Sequence, residues 1–186
     1  TYTVHLKNKP LLSLVFLGLF FMSSFFSLYI YLGYLLSEHP YSFSQSLLGF
    51  LFIVYIFGSF SSVFLGKKAD EHGHSATLIF AVALTISGAI LTLFPPVLVK
   101  IIGISLFTYG FFGCHSIASA WIGERADKNK AQASSLYLLF YYLGSSLVGT
   151  FGGYFWIHFH WAGVILFIAT LLLSSLPFIR YAEKRL

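Results

Sequence analysis

Three groupings in this 186-residue chain have residue types and spacings suited to chemistry. The first is Gly66-Lys67-Lys68-Ala69-Asp70-Glu71-His72-Gly73-His74, where amines, carboxylates and imidazoles crowd between two uncharged runs. Its skeleton, Gly66-x-x-x-Asp70-x-x-Gly73, offers a carboxylate held between two residues that permit tight turns. The second is Ser105, Thr108, His115 and Ser119, whose steps of 3, 7 and 4 place them near one face of a helix. His115 is the histidine deep in an uncharged run. An imidazole there can carry a proton near neutral pH, or it can stay neutral and hydrogen-bond a neighbouring helix. The third is Ser24, Ser27, Tyr31 and Tyr34, which share a helical face in the first apolar run. Hydroxyls and aromatic rings of this kind suit the path of a small lipophilic or weakly polar solute.

Other chemistry is poorly provided for. Cys114 is the single cysteine, which excludes an internal disulfide and a cysteine-based metal site, and Cys114 itself reads as a small packing residue. The apolar runs contain no Asp, Glu, Lys or Arg, so a hydrolytic metal centre lacks ligands there. A serine hydrolase within the membrane needs a histidine-activated serine, yet no Gly-x-Ser-Gly element occurs. An enzyme is not expected, nor is any cofactor. The half-helix and filter sequences of familiar channels are missing as well.

The elements that must position these residues follow from composition. The chain is 58% hydrophobic, 20% aromatic and only 9% charged, whereas soluble domains carry about 25% charged residues. Six charge-free apolar runs stand out, at 11–36, 45–65, 75–94, 101–122, 131–157 and 161–179. Each reaches or nearly reaches the ~20 residues that cross a bilayer. Lipid leaves no water for unpaired backbone groups, so the runs should be helices. Breaks are expected at Ser37-Glu38-His39-Pro40, at Pro95-Pro96 and at His158-Phe159-His160. The expected fold is an all-α membrane protein, one six-helix transmembrane bundle over residues 1–186. Its solvent partner is the lipid bilayer.

Orientation comes from the basic residues. Lys7, Lys9, Lys67, Lys68, Arg125, Lys128, Lys130, Arg180, Lys184 and Arg185 fall on one side of such a bundle, against Lys100 on the other. The positive-inside rule makes that side, with both termini, cytoplasmic. The net charge of +5 is therefore a topology signal and not a nucleic-acid footprint. Lys7 and Lys9 before an apolar run imitate a signal peptide, but no small-residue cleavage site follows, so a retained first span is expected. The chain begins at Thr1 and its one methionine is Met22, inside a run, which suggests a piece of a longer protein. Small residues at helical spacing, Gly58, Ser62 and Gly66 and again Ser145, Gly149 and Gly153, predict ridges for close helix packing.

The stretch Gly66–His74 resembles the Gly-x-Leu-Ala-Asp-Arg-x-Gly-Arg-Arg signature of the major facilitator superfamily, which joins the second and third helices of each six-helix half. Gly66, Ala69, Asp70 and Gly73 match; Lys68, Glu71 and His74 depart from the pattern. The segment Ser135–Trp156, with Tyr141-Tyr142-Leu143-Gly144-Ser145-Ser146 at its centre, resembles the eleventh helix of bacterial efflux-type members. The resemblance implies the C-terminal half of a transporter in a bacterial inner (plasma) membrane. It further implies secondary active efflux of a small solute by proton antiport, with the N-terminal six-helix half, or a second copy, as partner. Gly66, Asp70 and Gly73 would then form a gating latch, Asp70 receiving a neighbouring helix N-terminus in one access state. The plainer alternative is a solvated loop that only sets topology. The substrate path would draw on Ser27, Tyr31, Tyr34, Thr108, His115 and Ser119, and the main protonation carboxylate would belong to the other half.

Overall fold

The computed structural model describes residues 8–126 and 129–183. It contains five helices long and apolar enough to cross a membrane: α1 (Lys9–Ser37), α2 (Gln45–His72), α3 (His74–Leu91), α4 (Val97–Arg125) and α5 (Lys130–Glu183). No strand occurs among the described residues. Local chemistry sets the helix starts. Asn8 accepts a 3.2 Å hydrogen bond from the Leu11 amide, with Pro10 in the first turn where a missing N–H costs nothing. Ser44 caps α2 through the Leu47 amide at 3.3 Å. A short 3₁₀ turn at Leu51–Val54 interrupts α2 near its start.

Two expectations are corrected here. The charged stretch 66–74 is not an open loop. Helix α2 continues through His72, and the reversal into α3 is confined to Gly73, whose φ of 92° and ψ of 143° L side chains avoid. The helix count is also five, not six, because 131–157 and 161–179 fall in one helical span, α5, whose two arms join across a sharp kink at His160. His158 and Phe159 remain helical, so the expected His158-Phe159-His160 linker shrinks to His160 alone, at φ 51° and ψ −147°. A straight helix of this length would extend about 80 Å, but α5 folds back. Phe155 and Phe167 stack at 4.8 Å between ring centroids, where twelve residues of straight helix would hold them about 18 Å apart. We describe its outgoing arm as 130–159 and its returning arm as 161–183. The returning arm keeps Pro177 inside the helix, and Ser175, two residues before it, is fully buried.

The two arms flank α1. Phe16 meets Phe140 of the outgoing arm at 4.8 Å and Phe178 of the returning arm at 5.9 Å. At the opposite end of α1, Tyr31 stacks on Trp156 at 6.0 Å. Within the outgoing arm, Gly144–Val148 forms a π-helical turn. One extra residue per turn there shifts the facing set of residues. The small residues that meet α1 are therefore Gly144, against the Leu19 carbonyl, and Gly152, against Tyr31. Ser145 instead turns its hydroxyl back to the Tyr142 carbonyl, Gly153 touches only the Tyr31 hydroxyl end, and the surroundings of Gly149 lie outside the described residues.

Helices α3 and α4 approach most closely. A Cβ on Gly88 would lie 2.2 Å from the Phe107 amide nitrogen, one on Gly103 2.8 Å from the Gly88 carbonyl oxygen, and one on Gly110 2.3 Å from the Thr85 hydroxyl. Helix α2 packs on α4 through Gly58 beneath the Phe112 ring and through Ser116, which donates to the Ser62 carbonyl at 3.4 Å. Gly66 is looser: the Ser116 hydroxyl would be 3.9 Å from its Cβ. Lys100 lies inside α4, not in a loop. Its ammonium is buried, donates to the Thr92 carbonyl and sits over the Tyr41 ring, while the Trp161 indole N–H reaches the same Thr92 carbonyl at 3.1 Å.

These contacts set a stability prediction. Gly88→Ala drives a methyl into α4 backbone and should cost about 1–3 kcal/mol, the scale of overpacking. Gly33→Ala and Gly49→Ala, which meet nothing within 4 Å, should be neutral or stabilising by up to about 1 kcal/mol. Thermal unfolding of the detergent-purified variants checks this; equal midpoints for Gly88→Ala and Gly33→Ala would refute the tight crossing.

Candidate functional site

Aromatic side chains of α1, α2, α4 and the outgoing arm of α5 join into one continuous wall. Phe25 stacks on Phe111 at 4.1 Å between centroids, and Tyr29 meets Tyr55 at 5.4 Å and Phe52 at 6.0 Å. Tyr55 meets Phe112 at 5.7 Å. The wall continues through His115, 4.8 Å from Tyr141 and 5.6 Å from Tyr137. Tyr29, Tyr55, Phe112, His115 and Tyr141 are each only partly buried, so the wall presents one open side. Two polar links tie it together: the Tyr29 and Thr108 hydroxyls share a 2.7 Å hydrogen bond, and His115 Nδ1 lies 3.0 Å from the Tyr137 hydroxyl.

The sequence-derived path residues divide between this wall and plain packing. Thr108 and His115 belong to the wall, and Ser119 is half-buried one turn beyond His115. The partner of His115 is a phenol on a neighbouring helix. Ser27 and Tyr31 lie on the opposite side of α1 from Phe25 and Tyr29, buried against Gly152. Tyr34 is 56% exposed beside Trp156. Ser24, though buried, bonds its own helix at the Phe20 carbonyl.

Self-satisfaction is common, though the buried Ser27 hydroxyl finds no partner among the described residues: Thr85, Ser87, Ser105, Thr170 and Ser174 each donate to the carbonyl four residues earlier. A hydroxyl at helical spacing is thus a weak pointer to a solute path. Sequence reasoning missed Phe25, Tyr29, Tyr55, Tyr137 and Tyr141 as wall residues. Their signal was aromatic spacing of four, Phe25–Tyr29 and Tyr137–Tyr141, which serves core packing equally well.

At the basic end, Asp70 and His74 flank the Gly73 turn. His74 stacks on Trp121 of α4 at 5.6 Å, and its Nε2 lies 3.4 Å from a Glu124 carboxylate oxygen. Asp70 is exposed and makes no hydrogen bond or ion pair among the described residues. It caps no helix among the described residues. Ser75 donates to Glu183 at 2.9 Å, closing the end of the returning arm against α3. A cavity of about 610 Å³ opens here, lined by His72, His74, Trp121, Glu124, Arg125 and Glu183 among others.

Comparison with known proteins places this geometry. The Major Facilitator Superfamily profile matches residues 11–185. The chain is 48% identical over 172 residues to the MFS-type transporter YybF of Bacillus subtilis, covering 92% of this chain and 43% of that protein. It is 41% identical over 175 residues to the inner membrane transport protein YnfM of Escherichia coli, covering 94% and 42% respectively. The chain therefore spans about two fifths of the length of the curated relatives it matches. In fold it matches the crystal structure of the POT family transporter PepTSo with a TM-score of 0.73 at 16% identity, covering 95% of this chain and 37% of that one.

The His115–Tyr137 link yields a prediction. Tyr137 is buried with its ring edge against Gly18. Tyr137→Phe keeps that packing and removes only an interhelical hydrogen bond, for about 0.6–1.7 kcal/mol, whereas Tyr137→Ala should cost about 3–5 kcal/mol. If thermal unfolding in detergent shows equal losses for both, the hydroxyl and not the ring dominates and this assignment fails.

Proposed function

We propose that this chain, which belongs to the major facilitator superfamily, is one half of an alternating-access transporter for a small solute. The observation that supports this best is the uncharged aromatic wall shared by α1, α2, α4 and the outgoing arm, open on one side. The phenol, hydroxyl and imidazole groups on it suit a facing protein surface or a solute cleft better than lipid tails. The facing surface is the other half of a longer polypeptide, and the solute passes between the two. The five helices make six crossings, because α5 turns back at His160.

The chemistry of the wall selects its ligand class. Phenol, hydroxyl and imidazole groups supply single hydrogen bonds, and no carboxylate, ammonium or guanidinium stands among the contacts described above. The solute is accordingly lipophilic or weakly polar. Proton-coupled efflux fits this arrangement, with the main protonation carboxylate on the facing half and His115 as a lesser proton-accepting candidate. Both ends of this chain face the cytoplasm of a bacterial inner membrane, since Lys9, Lys67, Lys68, Arg125, Lys130 and Arg180 gather at the end closed by Ser75 and Glu183. Asp70 acts there as a latch: a carboxylate without a partner among the described residues supplies a contact that one access state makes and the other breaks.

The test uses inside-out vesicles containing the full-length protein and the lipophilic dye Hoechst 33342. Proton-driven dye uptake that a protonophore abolishes is expected. Asp70→Asn should lower the rate roughly 2- to 30-fold, the kinetic equivalent of a helix-terminus contact, with the inserted amount unchanged. Unaltered rates would refute the latch, and absence of any proton-linked uptake would refute efflux of this solute class.

A further inference from the structure

Asp70, His74 and Glu124 bring two carboxylates and one imidazole together from three elements: the end of α2, the start of α3 and the end of α4. Their ligand-capable atoms all lie within 4.8 Å of one another. We propose that these three side chains bind a divalent transition-metal cation at the cytoplasmic end of the bundle.

Three observations carry the site. The first is donor chemistry: two carboxylates and an imidazole suit a dication, no cation of the chain pairs with Asp70 among the described residues, and the Arg125 guanidinium lies over the Trp121 ring at 5.6 Å. Lys68, the near candidate on α2, turns its ammonium back over the Phe64 ring at 5.4 Å. The second is the state of His74. Its Nε2 is enclosed yet has no hydrogen-bond partner, although a Glu124 oxygen stands 3.4 Å away. In its neutral acceptor form Nε2 would turn a lone pair toward that carboxylate, an arrangement that a cation between them relieves. The third is preorganisation. Stacking on Trp121 fixes the His74 ring, while Gly73 fixes the turn that carries it.

Metal–ligand distances of about 2.0–2.2 Å place the ligand atoms of one ion roughly 3–4.2 Å apart. The present spread closes onto an ion by small rotations of Asp70 and Glu124, both exposed and able to move. The imidazole favours Zn²⁺ or Co²⁺ over Mg²⁺ or Ca²⁺. Three protein ligands leave the remaining positions to water from the adjoining cavity. A bound cation would staple the α2–α3 turn to the end of α4. The site shares Asp70 with the proposed latch but does not depend on it, because binding is measured without transport.

The experiment is calorimetric titration of the chelator-stripped full-length protein in detergent with Zn²⁺, together with Co²⁺ absorption. A saturable site of about one equivalent per chain is expected, with a Co²⁺ visible spectrum. His74→Gln and Glu124→Gln should each weaken binding at least ~10- to 100-fold, while His39→Gln and His158→Gln leave it unchanged. All variants are checked for the same elution volume and thermal midpoint as the parent. No saturable binding, or binding that survives both His74→Gln and Glu124→Gln, overturns the proposal.

Discussion

In a hydrocarbon surrounding, every backbone and hydroxyl group must find its hydrogen-bond partner inside the protein, and the rest of this structure depends on that constraint. It explains why the described spanning segments are helical and why so many serines and threonines bond to the carbonyl one turn back. It also explains the Thr92 knot. A carbonyl freed where α3 ends gathers the Lys100 ammonium and the Trp161 indole N–H, so one end of the bundle is sealed without a long loop.

With hydrogen bonds satisfied locally, what remains to hold the helices together is contact distance. Apolar side chains gain little from meeting one another when lipid is equally apolar, so close backbone approach decides the packing. The α3–α4 crossing at Gly88, Gly103 and Gly110 is the tightest expression of this, and Gly144 against α1 is another. The π turn at Gly144–Val148 belongs to the same account, because it rotates Gly144 and Gly152 onto the α1-facing side of the outgoing arm. Once the small residues are committed to packing, the large aromatic ones are left to the open side. The wall from Phe25 to Tyr141 is the complement of the close-packed seams.

Charge separates along the other axis. The uncharged wall occupies the middle of the bundle, while amines, carboxylates and imidazoles cluster at one end around Gly73. The two regions meet in α4, which carries Thr108 and His115 in the wall and Glu124 at the charged end. One helix thus joins the charged end to the wall.

The sequence by itself determined the solvent, the helical class, the family and the charged end, because exclusion of charge from lipid is a one-dimensional rule that composition and spacing express directly. It also placed a turn and the carboxylate Asp70 within 66–74, which the structure narrows to a reversal at Gly73. Only the tertiary structure decided which face each residue presents. Ser27 and Tyr31 share a face with Ser24 on paper, yet that face is buried against Gly152, and on the opposite side Phe25 is buried too while Tyr29 reaches the open surface. The ridge Ser145, Gly149 and Gly153 was displaced by one π turn that no spacing rule announces. The break between 131–157 and 161–179 reduced to the backbone of His160. Faces, registers and reversals of this kind depend on which helix arrives from elsewhere in the chain, and that is a three-dimensional fact that local sequence does not contain.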